Sequence, residues 1–322
     1  MRTPLLAVTV WTATAVVACV VLAGCGKGRT VQAQSVPAGW PVPLRFNMTS
    51  SSEDPDVRAK RLGPLKVYLE RELGIPVEIT ANTGYGGTIE AMRAHRIDAA
   101  GMGPFAYLIA AEKAGAEAIV SRGLVDGTPG VYAGSLAVPG NSTIRNIDDL
   151  KRNVRDLTIS FVDPASASGY LVQRAYLDSI GINPEKDFRK VVFSNNHMAS
   201  LMTLKAGKVD VAAVQSNMPS SMIKRGRLKE GEIRQIWISP PIPNSPVAVR
   251  KDLPADLKRK LQDALANMRT KVPDVYANIY SRSNSYYATQ SQNTTYVRVS
   301  DATFDGLRRM ARGVRTIQLL EE

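Results

Sequence analysis

Cysteine and histidine are scarce in this chain of 322 residues, which holds two of each. Cys19 lies inside an apolar run and Cys25 follows it directly. Neither is placed to staple a folded domain, to act as a thiol nucleophile or to build a thiolate metal site. His95 and His197 are far apart, and no carboxylate cluster accompanies them, which argues against a metal-ion receptor. Negative charge is also in short supply: 29 Asp and Glu stand against 41 Lys and Arg, for a formal net charge of +12. The basic residues are spread along the chain. The one dense group, Lys224-Arg225-Gly226-Arg227-Leu228-Lys229, is followed at once by Glu230 and Glu232. No long basic run alternates with aromatics, so nucleic acid is not an expected partner. There is no internal repeat, no G-x-S-x-G elbow and no G-x-G-x-x-G fingerprint. What remains is a globular composition, 44% apolar and 22% charged, in a length that suits two lobes.

The N-terminus is the exception to that globular pattern. Arg2 precedes an uncharged apolar run from Leu5 to Leu22, which ends in Leu22-Ala23-Gly24-Cys25. Small residues before a cleavage point suit a signal peptidase. The ending resembles the bacterial lipobox, in which the cysteine is acylated and becomes the new first residue. The alternative is an uncleaved membrane anchor, since the run is nearly long enough to span. The expectation is a signal peptide over 1–24, lipidation at Cys25 and a lipidated tether over 25–43, where Gly, Gln, Ser and Pro dominate. Such a protein is extracytoplasmic and held to the lipid bilayer, at the periplasmic face or the cell surface.

From Leu44 onward, short strand-like runs alternate with amphipathic segments, and this predicts an α/β architecture. Asp56–Leu73 reads as a helix ended by Gly74 and broken or kinked near Pro64. Val131–Val138 reads as one strand. A second set of alternating elements begins at Ile147. The stretches in which the chain can change lobe are Val138–Asn141 and Ser239–Ser245. The expected organisation is 44–138 plus 245–322 as one lobe and 139–244 as the other, with ligand in the cleft between them.

The most informative segment is Leu157 to Leu171, L-T-I-S-F-V-D-P-A-S-A-S-G-Y-L. A strand ends at Asp163-Pro164, and Ala165-Ser166-Ala167-Ser168-Gly169 opens a helix. Free N–H groups at a helix start carry partial positive charge, small side chains let an anion approach them, and serine hydroxyls add donors. The plain alternative is that Ser166 or Ser168 only caps the helix. His197 stands at a second strand-to-helix junction and can donate to an oxyanion. A third junction, Asn82-Thr83-Gly84-Tyr85-Gly86-Gly87-Thr88, offers close backbone approach and the Tyr85 hydroxyl. His95 sits at a helix end, where a surface role is expected.

At these residues the chain resembles the phosphate/phosphite/phosphonate-type periplasmic substrate-binding proteins of ABC importers, in lipoprotein form. The resemblance extends through Leu73-Gly74-Ile75-Pro76-Val77, Tyr85 to Met92, Gly127-Thr128-Pro129-Gly130, Asp163 to Tyr170 with His197, Val209 to Ala213 and Ser239 to Pro243. It implies a type II two-lobe fold that closes on its ligand by hinge motion. It also implies that Ser166, the Ala167 backbone, Ser168, Gly169 and His197 hold phosphoryl oxygens, with Tyr85 and then Tyr132 as further contacts. Two departures stand out. Members that bind aminoalkylphosphonates carry carboxylates where this chain has Asn217 and Ser245, and the usual Ser-Thr-Ser has Ala167 in its middle. A buried ammonium without a counter-ion is costly. The implied ligand is therefore a small phosphorus oxyanion without an amine: phosphite, phosphate or a small alkylphosphonate. The implied partner is a membrane permease. A monomer without cofactor or metal is expected, binding without chemistry. The rival readings are a small-ester hydrolase using Ser166 or Ser168 with His197, and a transcriptional effector domain, which the export signal opposes.

Overall fold

Short strands alternate with helices in two successive sets, each built around three parallel strands. The structure, a computed structural model, describes residues 36–48, 55–80, 84–280 and 293–314. The apolar run at 1–24 and Cys25 lie outside these residues, as do Tyr286 and Tyr287. The elements below belong to one compact unit that starts at Val36.

The first set runs β1 (Leu44–Met48), α1 (Pro55–Leu73), β2 (Val77–Thr80), α2 (Tyr85–Arg93), β3 (Ala99–Gly101), α3 (Pro104–Lys113) and β4 (Ala116–Leu124). Two short strands follow, β5 (Val131–Tyr132) and β6 (Gly134–Pro139). The second set holds α4 (Ile147–Asn153), β7 (Thr158–Phe161), a π-helical turn (Ala167–Leu171) that continues into α5 (Val172–Ser179), and α6 (Pro184–Asp187). It goes on through β8 (Lys190–Phe193), α7 (His197–Lys205), β9 (Val211–Gln215), α8 (Met218–Lys224) and β10 (Ile233–Ile238). The chain returns by β11 (Ile242–Pro243) to β12 (Pro246–Arg250), α9 (Ala255–Lys271), α10 (Pro273–Tyr280), β13 (Thr294–Arg298) and α11 (Asp305–Gly313).

The strands form two mixed sheets. One has the order β13-β4-β12-β3-β1-β2, and the other β10-β6-β9-β7-β8. In the first, β1 runs parallel to β2 and β3. In the second, β7 runs parallel to β8 and β9. β5 and β11 pair as an antiparallel ribbon where the chain passes between the sheets.

Side chains alternate across each sheet with period two, as a pleated backbone requires. Val247 and Val249 face a core under α1 and α9, with Leu69, Leu257, Leu261, Leu265 and Met268. Ala248 faces the opposite side, where α2 and α3 pack. In the second sheet Ala212 and Val214 meet Leu201 and Leu204 of α7. Val211 and Ala213 face the other way, into a cluster shared with Phe105 and Tyr107 of α3. That cluster is continuous between the two sheets. α3 packs on the π-helical turn, and α11 touches both α3 and α5.

Several expectations are corrected here. The run 131–138 is not one strand of the first lobe. Val131–Tyr132 pairs with β11, and Gly134–Pro139 pairs with β9 and β10 of the second sheet. The chain therefore changes sheet at Ala133, before the boundary at 138. Glycine permits this: a Cβ on Gly134 would lie 2.7 Å from Gln173 Nε2 and 2.8 Å from the Ser168 carbonyl oxygen. Helix α1 runs unbroken through Pro64. Trp40, read as tether, is buried against the α9 core, and its Nε1 donates to Asp256 at 3.2 Å.

One buried ion pair ties the first sheet together. Asp98 is fully buried and accepts from the Arg45 backbone N–H at 2.8 Å, from Arg45 Nε at 2.9 Å and from Nη2 at 2.7 Å. Arg250 Nη1 lies 3.5 Å away on the other side. The carboxylate raises the pKa of the Arg45 guanidinium by accepting its hydrogen bonds. Removing one partner strands the other charges, which typically costs several kcal/mol in a buried site. Asp98→Asn is expected to destabilise the fold by about 2–4 kcal/mol in urea unfolding. Arg45 is one-third exposed, which sets the lower end of that range.

Candidate functional site

The parallel strands of both sheets end on junctions that lead into helix starts, the usual location of ligand sites in α/β folds. After β7 the chain turns at Asp163. The Ser166 N–H donates to the Asp163 carbonyl at 2.9 Å, and the Ala165 N–H donates to Asp163 Oδ1 at 2.8 Å. Burial pushes the Asp163 carboxyl up. Ser166 caps the π-helical turn, its Oγ accepting from the Gly169 N–H at 3.1 Å. The plain capping role is thus real for Ser166. The N–H groups of Ala167 and Ser168 are engaged by none of these bonds, and Ala167 and Ser168 are both buried.

The π turn follows from the close packing. A Cβ on Gly169 would collide with the Val162 side chain and lie 3.0 Å from His197 Cε1. The Leu171 N–H reaches back to the Ser166 carbonyl at 3.0 Å, a five-residue span that widens the first turn. Widened turns of this kind are frequent at functional sites.

His197 is the first residue of α7, which Asn196 caps by accepting from the Ala199 N–H at 2.7 Å. Its Nδ1 accepts from the Gln215 backbone N–H at 3.1 Å. Its Nε2 lies 3.5 Å from Ser168 Oγ, the outer limit of a hydrogen bond. Burial lowers its pKa to about 4, so the ring is neutral at pH 7. A neutral imidazole whose Nδ1 accepts must carry its proton on Nε2. His197 is therefore a fixed donor aimed at Ser168. The same geometry defeats the hydrolase reading. A general base needs a bare Nε2 toward the serine and an acid behind Nδ1. Here Nε2 holds the proton, and a backbone N–H stands where the acid would be.

On the first sheet, Tyr85 opens α2 and is buried against Gly103, in the same apolar cluster as Ala165, Ala167 and Tyr170. The same helix carries Thr88, part of a polar group that sequence reasoning missed. Asn47, fully buried at the end of β1, donates through Nδ2 to Thr80 Oγ1 at 3.0 Å. Thr88 Oγ1 donates to the Gly84 carbonyl at 3.1 Å and lies 3.5 Å from Asn47 Oδ1. The signal was an Asn beside Phe46 and Met48 in the short strand L-R-F-N-M.

The structure thus brings Ser166, Ala167, Ser168, Gly169 and His197 together. Tyr132 is half-buried on the β5–β11 ribbon, packed on the same cluster. Asn217 opens α8, two residues beyond the N–H that holds His197, and Ser245 is exposed before β12. No hydrogen bond among the described residues links Asn217 or Ser245 to the cradle.

A family model described as ABC transporter, phosphonate, periplasmic substrate-binding protein matches residues 48–304. The phosphonates-binding periplasmic protein of Escherichia coli is 29% identical over 220 residues, which is 68% of this chain and 64% of that protein, a little under two thirds of its length. The phosphate-import protein PhnD of Mycolicibacterium smegmatis is 27% identical over 301 residues, 90% of this chain and 92% of that protein. Among solved structures, a binding protein component of an ABC phosphonate transporter from Pseudomonas aeruginosa superposes with a TM-score of 0.72 at 24% identity, covering 85% of this chain and 87% of that one. PhnD1 of Prochlorococcus marinus in complex with methylphosphonate gives 0.69 at 18% identity, covering 84% and 98%. These structures share the two-lobe periplasmic binding fold. The relatives are binding proteins rather than enzymes. The family match spans most of the chain and includes the whole cradle, and on that ground the protein belongs to the phosphonate ABC transporter periplasmic substrate-binding proteins.

Proposed function

We propose that this protein is an extracytoplasmic lipoprotein, tethered through Cys25, that binds a small phosphorus oxyanion without an amine and delivers it to a membrane permease. Phosphite, phosphate and small alkylphosphonates are the candidate ligands. The observation that carries the reading is the buried, uncharged donor set: the Ala167 and Ser168 N–H groups, the serine hydroxyls and His197 Nε2–H around one helix start. Such donors suit an oxyanion because they gain strength where water is excluded. Asn217 and Ser245, in place of carboxylates, supply no counter-ion for an ammonium. The relatives named for phosphate import and found with methylphosphonate support the same ligand class. Tyr85 and Tyr132 are assigned to ligand contact from the first sheet and the ribbon.

A calorimetric panel on the purified protein tests the ligand class. Binding of phosphite, phosphate or methylphosphonate is expected. Tight binding of 2-aminoethylphosphonate, with no response to the others, would refute the reading. Ser168→Ala and His197→Ala are each expected to weaken binding about 10- to 100-fold, the worth of one hydrogen bond to a charged group, with the circular dichroism spectrum unchanged. Unchanged affinity in both removes the site assignment.

His197 also predicts a pH dependence. Its folded pKa of about 4 lies below the unfolded value of about 6.5. The unfolded chain takes up this proton first, so stability falls as pH drops from about 6.5 to about 4, by up to about 3 kcal/mol. His197→Gln should flatten that part of the stability profile. Between about pH 5.5 and pH 8.5 the ring stays neutral, so affinity should follow the ligand's own ionisation.

A further inference from the structure

A buried amide joins the cradle to the strand by which the chain enters the second sheet. Gln173, the second residue of α5, is fully buried. Its Nε2 donates to the Ser168 carbonyl at 2.6 Å and to the Ser135 carbonyl on β6 at 3.1 Å. Both amide hydrogens are thereby used. Its Oε1 is buried with no hydrogen-bond partner among the described residues. Turning the amide over would set Oε1 against two carbonyl oxygens, so the two acceptors fix its orientation. An unpaired buried acceptor carries a desolvation cost. An apolar side chain of the same length would avoid that cost but would take the donor from the buried Ser168 and Ser135 carbonyls, so the net worth of the amide to stability is a small difference between the two.

The backbone is shaped to admit this contact. Gly134 has no Cβ, and one there would lie 2.7 Å from Gln173 Nε2 and 2.8 Å from the Ser168 oxygen. The Gly134 N–H donates to Ser239 Oγ at 3.0 Å, and its carbonyl accepts from the Ser239 N–H at 2.9 Å. Ser239 follows β10, where the chain begins its return. The cradle and both inter-sheet connections meet around one side chain.

We propose that Gln173 is a positioning residue for oxyanion binding. The Ser168 carbonyl and the Gly169 N–H belong to one rigid peptide plane. Gln173 holds the oxygen end of that plane, and Ser166 Oγ accepts from its N–H end. Together they fix the Cα of Ser168, from which the hydroxyl projects toward His197. The inference rests on the oxyanion reading above and adds to it a residue that does not touch the ligand.

Two substitutions separate positioning from packing. Gln173→Met keeps the length and removes both donors together with the unpaired acceptor. Gln173→Glu keeps the shape and replaces the donor pair with a carboxyl group. Each is titrated beside the wild type with phosphate, phosphite and methylphosphonate by calorimetry, and thermal midpoints are recorded without ligand. Gln173→Met is expected to weaken the best wild-type ligand about tenfold, while the midpoint moves by no more than a few degrees, because two donors and one unpaired acceptor are lost together. For Gln173→Glu, the loss relative to wild type is expected to be larger at about pH 8 than at about pH 5.5, because the protonated carboxyl regains one donor. Equal affinity of wild type and Gln173→Met overturns the proposal. So does a loss of affinity matched by a fall in midpoint and insensitive to pH in Gln173→Glu, which marks packing damage. A wild type that binds none of the probes sinks the oxyanion reading itself, and this proposal with it.

Discussion

The hydrogen bond from the Gln215 N–H to His197 Nδ1 settles the chemistry of the cradle. A buried neutral imidazole has one proton and two nitrogens, and this contact decides which nitrogen keeps it. The bond exists because β9 lies beside β7 in the second sheet, with α7 docked over them. Gln215 is the last residue of β9, and its N–H is directed at the start of α7. The Ser216 N–H then donates to the Ala133 carbonyl at 2.9 Å, so the chain leaves the strand toward the ribbon. Fold geometry, rather than a neighbouring acid, sets the state of the one ionisable side chain in the cradle.

The second requirement is space. Ala167 and Gly169 leave the helix start open, and Gly169 in particular admits both Val162 and the His197 ring. The two halves of the site differ in character. The second sheet offers backbone donors, serine hydroxyls and a neutral imidazole. The first offers Tyr85 and, on the same helix, Thr88 beside the buried Asn47, which donates to Thr80. No cation is needed to explain the His197 shift, since burial alone accounts for it. Desolvated dipoles aligned at helix starts are enough to stabilise a small anion.

Much of this was legible in the sequence. Alternating strands and helices, the glycine that ends α5 and the serine-rich opening of the π turn follow from local rules. His197 was legible because histidine is rare here and sits at a strand-to-helix junction. What was not legible depended on partners distant in the chain. The run 131–138, V-Y-A-G-S-L-A-V, holds no charge and no proline, so periodicity does not separate β5 from β6. Only the approach of Gln173 and Ser168 to Gly134 explains the break. β13, T-T-Y-V-R, follows a polar stretch and gains its strand character by pairing with β4. Gln173 reads as an ordinary helical polar residue until its two carbonyl acceptors are seen. Asn217 and Ser245 stand out by resemblance alone, and no local pattern encodes how far such residues lie from the cradle.

Helix α11 has a mechanical consequence. The β5–β11 ribbon is thin, and a thin ribbon bends easily and also twists easily. α11 adds an attachment away from it: Phe304, which caps the helix, packs on Tyr107 of α3 with tilted rings 4.8 Å apart, and the helix also meets α5. Two bodies joined along a line keep one soft rotation about that line, and torsion across it is resisted. The C-terminal helix is thus a second tie between the two sheets, set apart from the ribbon.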